Sequence, residues 1–210
     1  MPSNLNVGLI RTIIMTIDQN NITNYQRTPT ELMHFLLWTT VVAGKRSDVQ
    51  TKKFNELFTN TTTKKLLRSH GRHIQAELRK VGIGQYKRIY KCWDYIRKNI
   101  SPGHLRTIKR KALTNIPGIG NKTASFFLAH SRAFAEVAVL DTHILKWLKA
   151  SYPKLAHLVP KITPQTIDDY ITWEALFLGT SCQMGICPAD LDNRIWQSAT
   201  NAQNNTQKVK

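Results

Sequence analysis

Residues 113–148 read L-T-N-I-P-G-I-G-N-K-T-A-S-F-F-L-A-H-S-R-A-F-A-E-V-A-V-L-D-T-H-I-L-K-W-L. Pro117 removes a backbone N–H and stops a helix. Gly118 and Gly120 tolerate positive φ and leave neighbouring amides uncovered. Leu105, Ile108, Leu113 and Ile116 recur at helical spacing before this turn, and Ala124, Phe127 and Leu128 do so after it. Helices over 105–115 and 121–132, joined by a tight turn, are the expectation. Uncovered amides at the start of the second helix form an anion site suited to a DNA phosphate. Pro117, Gly118, Ile119, Gly120 and Asn121 are therefore candidate DNA-binding residues. P-G-I-G alone is shared with ordinary packing corners. The turn followed by Lys122, with V-L-D-T-H-I-L placing Asp141 19 residues later, is far more specific.

The rest of the chain supplies the setting. It has 210 residues, 41% of them hydrophobic, which suits a globular protein. Thirty Lys and Arg face 13 Asp and Glu, a formal net charge of +17, and such a balance points to a polyanionic partner. The longest apolar run, 35–43, is too short to span a bilayer. No basic leader, apolar block and small-residue cleavage site open the chain, so no signal peptide and no secretion are expected. Cys92, Cys182 and Cys187 form no disulfide framework and too few ligands for zinc or iron–sulfur coordination. Reduced thiols, no metal and an intracellular setting, whether cytoplasm, nucleoid or nucleus, are the expectation.

Along the chain, Leu5, Leu9, Ile10, Ile13, Ile14 and Ile17 are spaced as one face of a helix within 1–27. Thr28-Pro29-Thr30-Glu31 reads as a helix start. Short helices follow over 48–58 and 61–67, and an amphipathic one over 87–98. No acid occurs from Tyr95 to Ala135, whereas Arg97, Lys98, Arg106, Lys109, Arg110, Lys111, Lys122 and Arg132 are all basic. This run flanks the turn and is read as phosphate-contacting, Lys111 in particular; the alternative is a solvated face. An apolar connector, 135–140, leads to a helix over 142–151. The charge-poor segment 165–178 is expected in the core, 189–196 as the last helix, and the polar tail 201–210 as disordered.

The stretches I-P-G-I-G-N-K (116–122) and L-D-T-H (140–143) resemble the helix-hairpin-helix, Gly/Pro-rich-loop, Asp superfamily of DNA repair glycosylases. K-T-A-S-F-F-L (122–128) with L-D-T-H-I-L (140–145) is most similar to the 8-oxoguanine glycosylases of archaea and some bacteria, and weaker similarity runs from about Pro29 to Trp196. The resemblance implies an all-α fold of two lobes, 28–132 and 1–27 with 133–200, the active site lying in the cleft between them. It implies a monomer acting on damaged double-stranded DNA, and Lys122 and Asp141 as catalytic residues. The four-cysteine cluster usual in endonuclease III is missing, so no iron–sulfur cofactor is expected. In G-I-G-Q-Y-K (82–87), Ile83 takes the place of a wedge inserted into the duplex, with Lys87 nearby; a buried loop residue is the alternative. L-D-x-x-x-W (191–196) suggests Trp196, and less strongly Asp192, for the base pocket; Trp196 equally suits a core anchor.

The chemistry fits these residue types. Breaking an N-glycosidic bond builds positive charge on the sugar, which a carboxylate such as Asp141 stabilises. A primary amine such as Lys122 can attack the anomeric carbon and form a Schiff base. The target base must leave the stack to be reached. Asp141 also reads as a plain helix N-cap, and Lys122 as a plain phosphate contact. His143 is read as structural, since its offset points it away from Asp141. Relatives that only remove a base lack the Lys, so a combined glycosylase and lyase for 8-oxoguanine is the leading reading. An oxidised-pyrimidine glycosylase of the endonuclease III type and a non-catalytic DNA-binding hairpin are the alternatives.

Overall fold

The computed structural model describes residues 15–208, with side chains to residue 201; the described residues contain helices and no strand. Thr28 and Glu31 form a reciprocal capping box that starts α1, Pro29–Val42. Every residue of α1 from Leu32 to Val41 is buried, so this helix is the axis of the first lobe. Around it lie α2 (Ser47–Leu57), α3 (Thr63–Arg68) and α5 (Tyr86–Asn99), with α4 (Gly71–Lys80) packed on α5. A 3-10 turn at Pro102–Arg106 leads to α6 (Arg110–Thr114) and α7 (Asn121–Ala129), the two arms of the hairpin. The chain then runs through α8 (Thr142–Ser151), a 3-10 turn at Pro153–Leu155, α9 (Ile167–Gln183) and α10 (Pro188–Lys208).

Buried apolar residues fall into two main clusters. One runs from Ile22 to Leu128 around α1, and the other from Ala138 to Ile195 between α8, α9 and α10. A small third group, Ala129, Val139 and Ala189, joins α7, the connector and α10 at the seam between them.

Several expectations change. The proposed helix within 1–27 is extended and turned over residues 15–27, and 1–14 lie outside the described residues. Side chains satisfy this backbone instead: Asn55 bonds both the N–H and the carbonyl of Ile17, and Arg27 donates to the carbonyls of Ile22 and Asn24. Ile17 and Ile22 pack in the first cluster, not in the second lobe, while Thr23 and Tyr25 reach Asn193 and Cys187 of the second. The helix expected over 105–115 is broken at 107–109, because Arg132 Nη2 draws off the carbonyls of Leu105 and Ile108 at 3.1 and 2.6 Å. Only one stripe of α9 is core, Tyr170, Glu174, Phe177 and Ser181, and Ile167 and Ile171 face solvent. The tail expected to be disordered continues α10 to Lys208; residues 209–210 lie outside the described residues.

Candidate active site

The hairpin closes on itself. Ile116 N–H donates to Leu113 O and Ile119 N–H to Ile116 O, each at 3.0 Å. Gly118 adopts φ +86°, a left-handed value that a Cβ disfavours. The Ile119 side chain is 4% exposed and anchors the turn in the first cluster. Pro117, Gly118 and Gly120 are exposed and Asn121 half-buried. Arg88 holds the turn from behind, its Nη1 on Gly118 O at 3.2 Å and its Nη2 on Thr40 O at 3.0 Å. The N–H groups of Gly120, Asn121 and Lys122 have no acceptor among the described residues, which leaves them for an anion. Lys122 stands in the first turn of α7, half-buried and in no ion pair among the described residues.

Asp141 is the N-cap of α8. Its Oδ1 accepts from His143 N–H at 2.8 Å and from Ile144 N–H at 2.9 Å. Oδ2 makes no hydrogen bond among the described residues, so capping leaves one carboxylate oxygen for chemistry. Behind this pair lies Asp192 of α10, buried, with Oδ2 at 3.1 Å from His130 Nε2. His130 Nδ1 bonds Thr23 Oγ1 at 2.8 Å, and Asn193 Nδ2 donates to the same oxygen at 3.0 Å. Burial, above all, raises the pKa of Asp192, and the Asp141 charge adds to that; His130 and Lys122 pull it down. Asp192 thus feels the charges of both Lys122, on α7, and Asp141, at the head of α8, and is itself engaged with His130. His130 carries no sequence signal: it follows α7 by one residue, and only the fold sets it against Asp192.

Trp196 follows Asp192 by four residues and so shares its face of α10. It is half-buried and belongs to none of the hydrophobic clusters, unlike Leu191 and Ile195, which fill the second core. A cavity of about 530 Å³ opens between α8 and α10, lined by His143, Lys146, Trp147 and Arg194 among others. Lys122, Asp141, Asp192 and Trp196 do not line it, so it is separate from the pair. His143 faces this cavity.

Ile83 is 1% exposed and packs in the first cluster, so it is no wedge. Its loop is braced by Lys53 Nζ on Gly82 O at 2.6 Å and Lys45 Nζ on Gly84 O at 2.5 Å, neither foreseen. The exposed tip is Gln85, in the left-handed region at φ +59°. Lys87 and Lys111 are exposed, as a phosphate contact requires. Most of the basic run is engaged inside the protein, however. Arg97 and Lys98 pair with Asp94, and Arg110 pairs with Glu174. Arg106 donates to Arg27 O, and Arg132 to two carbonyls. The side chains of Lys109, Lys111 and Lys122 make no hydrogen bond or ion pair among the described residues.

Cys92 is buried, and burial pushes its thiol up to about 12; Cys187 lies 3.8 Å from the Tyr25 hydroxyl, and Cys182 is exposed. Among the described residues no three His, Cys, Asp or Glu stand together as a metal site, and no helix is long and apolar enough to cross a membrane.

Comparison with known proteins gives a consistent answer. The chain is 40% identical over 86 residues to the 8-oxoguanine DNA glycosylase/AP lyase of Thermoplasma acidophilum, a match covering 41% of this chain and 38% of that relative's length. Its fold matches the 8-oxoguanine glycosylase/lyase of Methanocaldococcus jannaschii, solved with a 15mer DNA containing 8-oxoguanine. The TM-score is 0.70 and the identity 19%, over 84% of each chain. The 8-oxoguanine DNA glycosylase of Thermotoga maritima matches with a TM-score of 0.63 and 22% identity, over 80% of this chain and 79% of that one. The family model described as 8-oxoguanine DNA glycosylase matches residues 19–186. With most of its length so matched, this chain belongs to the 8-oxoguanine DNA glycosylase family.

Proposed function

We propose that this protein removes 8-oxoguanine from double-stranded DNA and then nicks the strand as an AP lyase. The observation that carries the reading is that Asp141 Oδ2 and the Lys122 amine, whose charges both act on the buried Asp192, have no hydrogen-bond or ion-pair partner among the described residues. The hairpin amides and Lys111 hold the backbone phosphates on one side of an extruded nucleotide. Asp141 stabilises positive charge on the sugar as the bond from C1′ to the base breaks. The Lys122 amine attacks C1′, the base leaves with the bonding electrons and takes up the proton that the nitrogen sheds, and ring opening gives a Schiff base. Loss of a proton from C2′ then expels the 3′ phosphate by β-elimination.

These steps draw on no metal or redox cofactor, and the protein works as a monomer wherever the chromosome lies. 8-Oxoguanine carries a hydrogen on N7 where guanine has a lone pair, so an acceptor aimed there discriminates strongly. Trp196 stacks on the flipped ring; that it joins no hydrophobic cluster among the described residues supports this role over that of a core anchor. A panel of duplexes, each with one lesion, tests the reading by measured base release. Release of 8-oxoguanine is expected. Release of thymine glycol with 8-oxoguanine left intact would overturn the substrate.

A further inference from the structure

Residues 137–141 carry Asp141 from the seam into α8, and the N–H and carbonyl groups of both Ala138 and Leu140 go to distant side chains. Ala138 N–H donates to Glu174 Oε1 at 2.8 Å. The Tyr170 hydroxyl donates to Ala138 O at 2.7 Å and accepts from Leu140 N–H at 3.2 Å. Thr163 Oγ1 donates to Leu140 O at 2.7 Å. Glu174 in turn receives Arg110 Nη1 at 2.5 Å, and the same nitrogen donates to Ser125 Oγ at 3.3 Å. Ser125 lies three residues from Lys122, on the same face of α7. The Arg110 guanidinium also stands 5.5 Å from the Tyr170 ring centroid, within cation–π range. Hydrogen bonds therefore run from Ser125 of the Lys122 helix through Arg110 and Glu174 to Ala138, three residues before Asp141, and Tyr170 ties Ala138 to Leu140.

Tyr170 and Ser125 are fully buried and Glu174 is 5% exposed. Burial raises the pKa of the Tyr170 hydroxyl, which keeps its proton and its donor role. A buried ion pair adds little net stability over a well-packed apolar pair. What it supplies that apolar contacts do not is fixed direction. Lys122 belongs to a helix packed in the first cluster and Asp141 opens a helix of the second, so their separation depends on what crosses the seam.

We propose that Arg110, Glu174 and Tyr170 are positioning residues that fix Asp141 against the Lys122 helix. The inference rests on the catalytic assignment of that pair. None of the three touches the substrate; they act through the backbone at Ala138 and Leu140 and through Ser125.

Tyr170→Phe keeps the ring in the core and deletes the hydroxyl that serves two backbone groups. Glu174→Gln keeps the shape and deletes the charge facing Arg110. Each is compared with the unaltered protein for single-turnover release of 8-oxoguanine and for affinity to a duplex carrying a tetrahydrofuran abasic analogue, at a temperature where circular dichroism shows every protein folded. Tyr170→Phe lowers the rate about 10- to 100-fold while affinity changes by less than about threefold, as a misplacement of about 1 Å does. Glu174→Gln lowers it by less, and Glu174→Ala by more than Glu174→Gln. Unchanged rates in folded variants overturn the proposal, as does a rate that falls only in step with affinity. Should Tyr170→Phe not fold, Glu174→Gln, which keeps the shape of the side chain, is read in the same way. Unaltered protein that releases no base and forms no borohydride-trapped adduct refutes the assignment of Lys122 and Asp141 itself, and the proposal with it.

Discussion

The turn that carries Lys122 and the connector that carries Asp141 are held in opposite ways. The turn is closed mainly by its own residues, through two backbone bonds, one left-handed glycine and the buried Ile119, with Arg88 on Gly118 O as an added brace. The connector has one such bond, Asp141 N–H to Val139 O at 2.6 Å, and otherwise hangs from Thr163, Tyr170 and Glu174, between 23 and 36 residues further along. A self-closed element can be moved as a unit but is hard to deform. A suspended one takes its geometry from whatever holds it. The proposed nucleophile thus sits on the rigid side of the site, and the proposed charge-stabilising group on the side set by long-range contacts.

The largest expected effect breaks the comparison at its chemical end. Asp141→Asn keeps an acceptor for His143 and Ile144, so the cap survives and the melting temperature moves little. Loss of the charge slows 8-oxoguanine release by about 10²- to 10³-fold. Nicking of a preformed abasic site, which needs no glycosidic bond broken, falls much less. Equal loss of both activities would mean that Asp141 serves the site as a whole.

Ile119→Ala tests whether the turn is self-contained. Emptying this buried site lowers the free energy of unfolding by about 2–4 kcal/mol in urea titration. Affinity for duplex DNA falls with it, since the same side chain seats the exposed amides. A stability loss with full DNA affinity would show that the hairpin is not what grips the backbone.

A smaller effect separates the base from the sugar. Trp196→Ala removes a stacking face worth about 1–3 kcal/mol per base and lowers excision accordingly. Cleavage of a preformed abasic site stays near normal, because no base remains to stack. Loss of both would identify Trp196 as a support of the fold.

What the sequence disclosed follows the same division. P-G-I-G-N-K is legible because proline and glycine act locally, and the Asp141 cap because it bonds residues two and three places on. The Thr28–Glu31 capping box is legible for the same reason. Illegible were the groups whose role depends on distant partners. The basic run 97–132 reads as a DNA-facing face, yet five of its eight cations are spent inside the protein: Arg97 and Lys98 on Asp94 at ordinary helical spacing, and Arg106, Arg110 and Arg132 on carbonyls and a carboxylate that no spacing rule connects to them. The segment 165–178 reads as plain core because it is poor in charge, whereas its buried stripe carries Tyr170 and Glu174 and two of its isoleucines face water. Ile83 reads as a wedge by its place in G-I-G-Q-Y-K. The backbone turns left-handed at Gly82 and Gln85, which sends Ile83 inward and leaves Gln85 at the tip.

The most direct measurement is borohydride trapping on a duplex containing a single 8-oxoguanine, with the unaltered protein and with Lys122→Gln side by side. The unaltered protein yields a covalent protein–DNA adduct and a nicked strand. Lys122→Gln yields neither while still binding the duplex, because the amine that forms the Schiff base is gone. An adduct from Lys122→Gln at the yield of the unaltered protein would contradict the account, since another amine would then be the nucleophile.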